Sequence, residues 1–326
     1  MKTRKSKWKL GCGAVFAVIA VALTTVSYIY GPATVAVFTG KPFYLIKPSP
    51  TKYGKDVISI VEALGLYADS PEFSEAKTHA LEQIKNANSY EETYEPLREL
   101  VKVAGGKHSN ILAPDNSTDA PNESRSPSVH ANKGIAIATV PDISREEDIQ
   151  SYADTLTQGL IKHARCGAIV DLRGNGGGDM GPMVAGLSPL LPDGEVLSFV
   201  SRQSTSPVIV EGNSVTGGGT ALSTQGGKLD IPVAVLVDDQ TASSGEATML
   251  AFRGLENSRS FGQPTAGYAS GNVVIDLYDG ATLMITFSKD KARTGEEFSE
   301  DPIEPDVRSD SAEQDAIAWL ADKGCS

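Results

Sequence analysis

Residues Ile231–Arg253 read IPVAVLVDDQTASSGEATMLAFR, and the fold turns on how this stretch is parsed. Val233, Val235, Leu236 and Val237 form a short apolar, β-branched run, the pattern of a strand covered on both faces. Asp238, Asp239 and Gln240 break it. Thr241-Ala242-Ser243-Ser244-Gly245-Glu246 then opens a segment whose Ala247, Met249, Leu250 and Phe252 suit a packed helix. A serine at such a strand-to-helix turn is lifted out of the sheet. It lies where the unpaired N–H groups of the helix start favour negative charge. An acyl-transfer nucleophile needs that setting, because its tetrahedral intermediate carries an oxyanion. A Ser-rich helix cap leaves the same signature, so this stretch alone keeps both readings open.

Upstream, Ile135–Val140 and Gly167–Leu172 read as strands on either side of a helix lined by Ile149, Tyr152, Leu156 and Leu160. Ser144 and Glu147 have capping-box spacing and are expected to start that helix. The alternation predicts an α/β fold with a parallel sheet and crossover helices. The second strand runs into Arg173-Gly174-Asn175-Gly176-Gly177-Gly178, whose glycines let backbone N–H groups approach a ligand closely. The Lys-Ser/Thr ending of a phosphate loop is missing. Downstream, Val273–Leu277 and Ala281–Phe287 flank Tyr278-Asp279-Gly280 as a hairpin, and Ser311–Asp322 reads as a terminal helix.

The N-terminus is different in kind. Lys2, Arg4, Lys5, Lys7 and Lys9 precede a run from Leu10 to Ile29 without a charged residue, about the length that crosses a bilayer. The expectation is a cytoplasmic tail (1–9), an uncleaved transmembrane signal anchor (10–30) and an extracytoplasmic remainder, with a cleaved signal peptide as the rival reading. The prolines of residues 31–53 suggest an extended linker, and residues 54–106 a helical subdomain with Ser70 and Ser89 as caps. Residues 107–326 would be the core, with a mobile loop at 110–132. A net charge of −12 in 326 residues argues against nucleic acid, since phosphate binding needs basic surface. The same acidity fits encounter with cationic peptides and ordinary solubility equally well. The cysteines Cys12, Cys166 and Cys325 show no metal spacing, and Cys166 is expected to be a small buried apolar residue. No metal and no cofactor are expected.

DLRGNGGG at Asp171–Gly178, TASSGE at Thr241–Glu246 and PIEPDV at Pro302–Val307, in that order, resemble the C-terminal processing (tail-specific) serine peptidases. The resemblance covers about residues 133–326 and implies a crotonase-like α/β core. It makes Ser243 the nucleophile. The N–H of Ser244, with that of Gly177 or Gly178, would form the oxyanion hole. Asn175, Thr241 and Glu246 would contact a peptide substrate, although Glu246 also reads as a first-turn acid facing the helix dipole. Where these peptidases usually carry a lysine base, this chain reads Thr265-Ala266-Gly267-Tyr268-Ala269. No PDZ-like module is expected between His108 and Asp171 either. Both departures fit the branch that resembles the nisin resistance proteins: membrane-anchored peptidases with a Ser–His pair that remove the tail of a lantibiotic. Of His79, His108, His130 and His163, only His108 follows a Gly-Gly hinge at the domain boundary, which makes it the expected general base. Asp301 and Glu304 are the acidic candidates for orienting it. A lysine base (Lys289 or Lys291), or an inactive peptide-binding protein on the same scaffold, are the alternatives.

Overall fold

The computed structural model describes residues 24, 25, 27, 28, 30–114 and 125–325, which fall into two compact units. The first takes its described residues from 1–118 together with 272–286; the second takes them from 119–271 and 287–326.

The first unit is helical. Pro50–Leu64, Pro71–Gln83 and Glu91–Gly105 are its helices. Ser49 and Ser70 cap the first two, each followed by proline at the first helical position. There a missing N–H costs nothing and φ is already helical. Their apolar faces bury Val57, Ile60, Val61, Leu97, Leu100 and Val101 with Leu283 and Ile285. The latter two sit on the hairpin Ser270–Asp276/Thr282–Ala292, whose turn-proximal part, 272–286, belongs to this unit. At its tip Asp279 accepts from the Tyr53 and Tyr94 hydroxyls at 3.1 and 2.6 Å.

The second unit is built on a six-stranded sheet. Its order is Val307–Arg308, Ser258–Gly262, Val233–Val237, Gly167–Asp171, Ile135–Thr139 and Ser128–Asn132. All neighbours are parallel except the last pair. Alternate residues of the central strands enter two cores. Val233, Val235 and Val237 pack with the helices Ile149–His163 and Met180–Leu187; Ala234 and Leu236 pack with the terminal helix Ala312–Asp322. Burial on both faces is why these strands read as unbroken apolar runs. Strands Gly194–Ser201, Thr205–Glu211, Ser214–Thr216 and Leu222–Ser223 form an antiparallel array on residues 288–292.

Several expectations are corrected. The stretch 31–53 is not an extended linker, since residues 31–39 are helical and a new helix starts at Pro50. Within 110–132, Asn110–Leu112 and Ser128–Asn132 are strands. Ser144 and Glu147 close a turn, with Glu147 accepting from the Ser144 N–H, but the helix begins beyond it with Asp148 as its cap. Tyr90 is the residue before the third helix, while Ser89 Oγ accepts from the first-turn Glu92 N–H at 3.4 Å as a cap would. Most of the expected membrane span lies outside the described residues; among those described, no helix is long and apolar enough to cross a membrane. Cys166 is not a free apolar residue: it is disulfide-bonded to Cys325, 159 residues away.

That bond fastens the terminal helix to the sheet. Cys325→Ser should lower the unfolding free energy by about 2–5 kcal/mol, measured by urea denaturation with and without reductant, and reductant should leave the variant unchanged.

Candidate active site

Val170 and Asp171 lie opposite Val235 and Leu236 in parallel register, so the turns leaving the two strands emerge side by side. Asn175 joins them. Its Nδ2 donates to the Val140 carbonyl at 2.8 Å and its Oδ1 accepts from the Gly177 N–H at 2.9 Å. Its own carbonyl accepts from the Ala242 N–H at 2.9 Å. Thr241 closes the other turn by donating to the Leu172 carbonyl at 2.9 Å. Gly177 has φ of 110°, and a Cβ there would stand 2.8 Å from the Cβ of Ser243, so only glycine permits this approach. The Ser244 hydroxyl donates to the Gly178 carbonyl at 2.7 Å and ties the turns at their tips.

Ser243 has φ 52° and ψ −118°. Among the described residues, Lys133 is the other non-glycine with positive φ. Such a conformation costs about 1–3 kcal/mol and persists where the surroundings over-determine it. The surroundings here are a carboxylate. Glu246, fully buried one turn into the helix Ser244–Leu250, accepts from the Ser243 N–H at 2.9 Å. It also accepts from the N–H groups of Gly267 and Tyr268 at 2.9 and 2.7 Å, and from the Thr265 hydroxyl. Burial pushes its pKa up, against the lowering effect of these four donors. Asp290, wholly buried, has its carboxyl pushed well above the usual range by burial first and by the Glu246 charge second.

Ser243, Ser244, Gly177 and Gly178 are therefore brought together within the second unit. The Gly177 N–H is already committed to Asn175, whereas no such internal bond is made by the N–H of Gly178 or Ser244. Asn175, Thr241 and Glu246, expected to contact substrate, are instead buried completely, with their polar atoms engaged by neighbouring backbone and side chain. They shape the turns from behind. Their burial was beyond sequence reasoning, which saw only polar residues inside motifs.

His108 belongs to the first unit, two residues beyond Gly106. It is half-buried, and burial together with the Lys107 charge lowers its pKa to about 4. Asn272, which sequence reasoning missed, places its amide nitrogen 3.0 Å from Nδ1 and 3.2 Å from Nε2. Glu304 is exposed and engaged with Arg308 at 2.7 Å, and Asp301 is exposed too. Lys289 and Lys291 occupy the strand face opposite to buried Ser288 and Asp290, and Lys289 lies 3.8 Å from Glu297.

Peptidase family S41 matches residues 134–309. The chain is 40% identical over 282 residues to the nisin-resistance protein of Lactococcus lactis subsp. lactis, covering 85% of this chain and 89% of that protein. A lipoprotein structure from Streptococcus agalactiae superposes with a TM-score of 0.75 at 31% identity, over 86% of this chain and 99% of that one. A photosystem II D1 C-terminal processing protease superposes with a TM-score of 0.57 at 14% identity, over 84% and 97%, a likeness of fold alone.

Glu246→Ala removes the common acceptor of four buried donors. The variant should lose at least about 3 kcal/mol of stability by chemical denaturation, because each orphaned donor forfeits its desolvation. Ser243→Ala, which leaves those donors satisfied, should unfold close to the parent.

Proposed function

The chain belongs to peptidase family S41, and from that membership we propose that it is a membrane-anchored serine peptidase that removes the C-terminal segment of a lantibiotic. The observation that carries this reading is Ser243, held at positive φ against the Gly177–Gly178 turn inside the matched region. In the proposed reaction Ser243 Oγ attacks the scissile carbonyl and His108 takes its proton. The N–H groups of Ser244 and Gly178 receive the oxyanion. His108 then returns the proton to the leaving amine, and water releases the acyl group by the same route in reverse. The sheet, mostly parallel and covered by helices on both faces, supports a crotonase-like core.

Two features support the anchor at 10–30 and an extracytoplasmic site. Tyr30, Phe38, Phe43, Leu45 and Ile46 are all exposed just beyond the uncharged run, and aromatic side chains favour the bilayer interface. The Cys166–Cys325 bond belongs to an oxidising compartment. The lantibiotic assignment rests on the likeness to the nisin-resistance protein and on an acidic chain suited to a cationic peptide.

The test is incubation of the full-length chain with nisin and with a linear peptide, followed by mass mapping of the cut. One product truncated at the C-terminus of nisin is expected. Ser243→Ala and His108→Ala should each lower kcat by about 10³-fold or more, because nucleophile and base act as a unit. Product from the Ser243→Ala chain would overturn the reading. With His108 titrating at about 4, kcat/KM should hold steady from neutral pH down to about 5 and fall as the imidazole is protonated below that.

A further inference from the structure

His108 and Ser109 close the turn after the helix Glu91–Gly105. A Cβ on Gly105 would lie 2.1 Å from Ser109 Oγ, so the glycine there lets the serine fold back against the hairpin. Ser109 and Thr286 are fully buried and bonded to each other twice. The Thr286 N–H donates to Ser109 Oγ at 2.9 Å, and the Ser109 hydroxyl donates to Thr286 Oγ1 at 3.1 Å. That leaves the Thr286 hydroxyl to donate to Asn272 Oδ1 at 2.6 Å. One end of the Asn272 amide is thereby pinned, and its other end meets the imidazole of His108.

We propose that Asn272 is the positioning residue of the His108 base, with Thr286 and Ser109 holding its amide in place; this rests on the reading of His108 as the base. Three side chains, Ser109, Thr286 and Asn272, form a chain of hydrogen bonds that ends on the ring. A general base must be neutral when it takes a proton and charged just afterwards. A side-chain amide serves both states, since it has a donor at one end and an acceptor at the other. With Nδ2 toward the ring, as here, the neutral imidazole is favoured. Turned end for end, Oδ1 accepts the N–H of the imidazolium. The Thr286 hydroxyl donates to Oδ1 in the first orientation and accepts from Nδ2 in the second, so the contact at the buried end is kept while its direction reverses. A carboxylate in the place of Asn272 would hold the charged ring only.

The test uses the full-length chain. Asn272→Ala should lower kcat about 10²-fold with KM within about twofold, the size of effect expected when a reacting group loses its alignment. Thr286→Val, which keeps the shape and removes the hydroxyl, should give a smaller loss in the same direction. Asn272→Asp has the same shape as asparagine and adds a negative charge. It should raise the His108 titration midpoint, followed by NMR in a Ser243→Ala background, by about one pH unit or more. The acid limb of kcat/KM should move by the same amount. Wild-type kcat in Asn272→Ala, or an Asn272→Asp chain whose midpoint and acid limb both stay put, overturns the inference. A His108→Ala enzyme with normal turnover overturns the base reading itself. An inactive His108→Ala enzyme beside a fully active Asn272→Ala enzyme overturns this inference alone.

Discussion

Four donors converge on the buried carboxylate of Glu246, and the geometry of the serine turn depends on that convergence. Three of its partners are backbone N–H groups drawn from two segments. The Ser243 N–H belongs to a residue held in a conformation that L-residues avoid. The Gly267 and Tyr268 N–H groups belong to a loop with no regular structure to satisfy them. A single charge at the helix N-terminus, favoured there by the unpaired amides, answers both needs. Its burial is expensive, and only a full set of hydrogen bonds offsets it. The same bonds fasten the Thr265–Tyr268 loop to the first turn of the serine helix, so the loop cannot drift without orphaning the carboxylate.

The glycine turn is held by a parallel device. Asn175 uses both ends of its amide and its own carbonyl to bind Val140, Gly177 and Ala242, which fixes the spacing between two adjacent strand ends. Close approach then becomes a matter of side-chain volume. Gly177 meets Ser243 at a distance that no Cβ tolerates, and Ser244 bridges to the Gly178 carbonyl. Because the Gly177 N–H points inward to Asn175, the proposed reaction assigns the oxyanion to the N–H groups of Gly178 and Ser244. Rigid support behind a polar opening is the arrangement that electrostatic stabilisation of an acyl intermediate requires.

Much of this was legible in the chain, for physical reasons. A strand buried on both faces must be apolar throughout, so Val233–Val237 and Gly167–Asp171 announced themselves. The Ser70-Pro71 and Ser49-Pro50 starts are local chemistry, although the second was lost inside a proline-rich stretch read as a linker. What failed was non-local or exposed. Ser128–Asn132 is an edge strand with mostly exposed residues, and no apolar rhythm marks it. The disulfide joins residues 159 apart, and Asn272 meets His108 across 164. The roles of Glu246 and Asn175 were half visible: position implied a helix-start acid and a turn residue, but three of the four donors of Glu246 arrive 19 to 22 residues later in the chain.

Tyr268 shows why the choice of base matters to the rest of the design. An ammonium group at that position would sit one residue from the Gly267 amide that Glu246 holds, and its charge would compete for the carboxylate. With tyrosine there, Glu246 is free to serve the backbone, and the proton acceptor has to be supplied by another part of the chain. In the proposed reaction that is an imidazole, and its burial has a consequence. Burial beside Lys107 keeps His108 neutral at neutral pH and down to about pH 5, but it also weakens the ring as a base. A weak base is effective only if its charged form is met by an acceptor when the proton arrives. A neutral amide that turns in place meets that demand without lowering the stability of the neutral ring beforehand, which a fixed carboxylate would do.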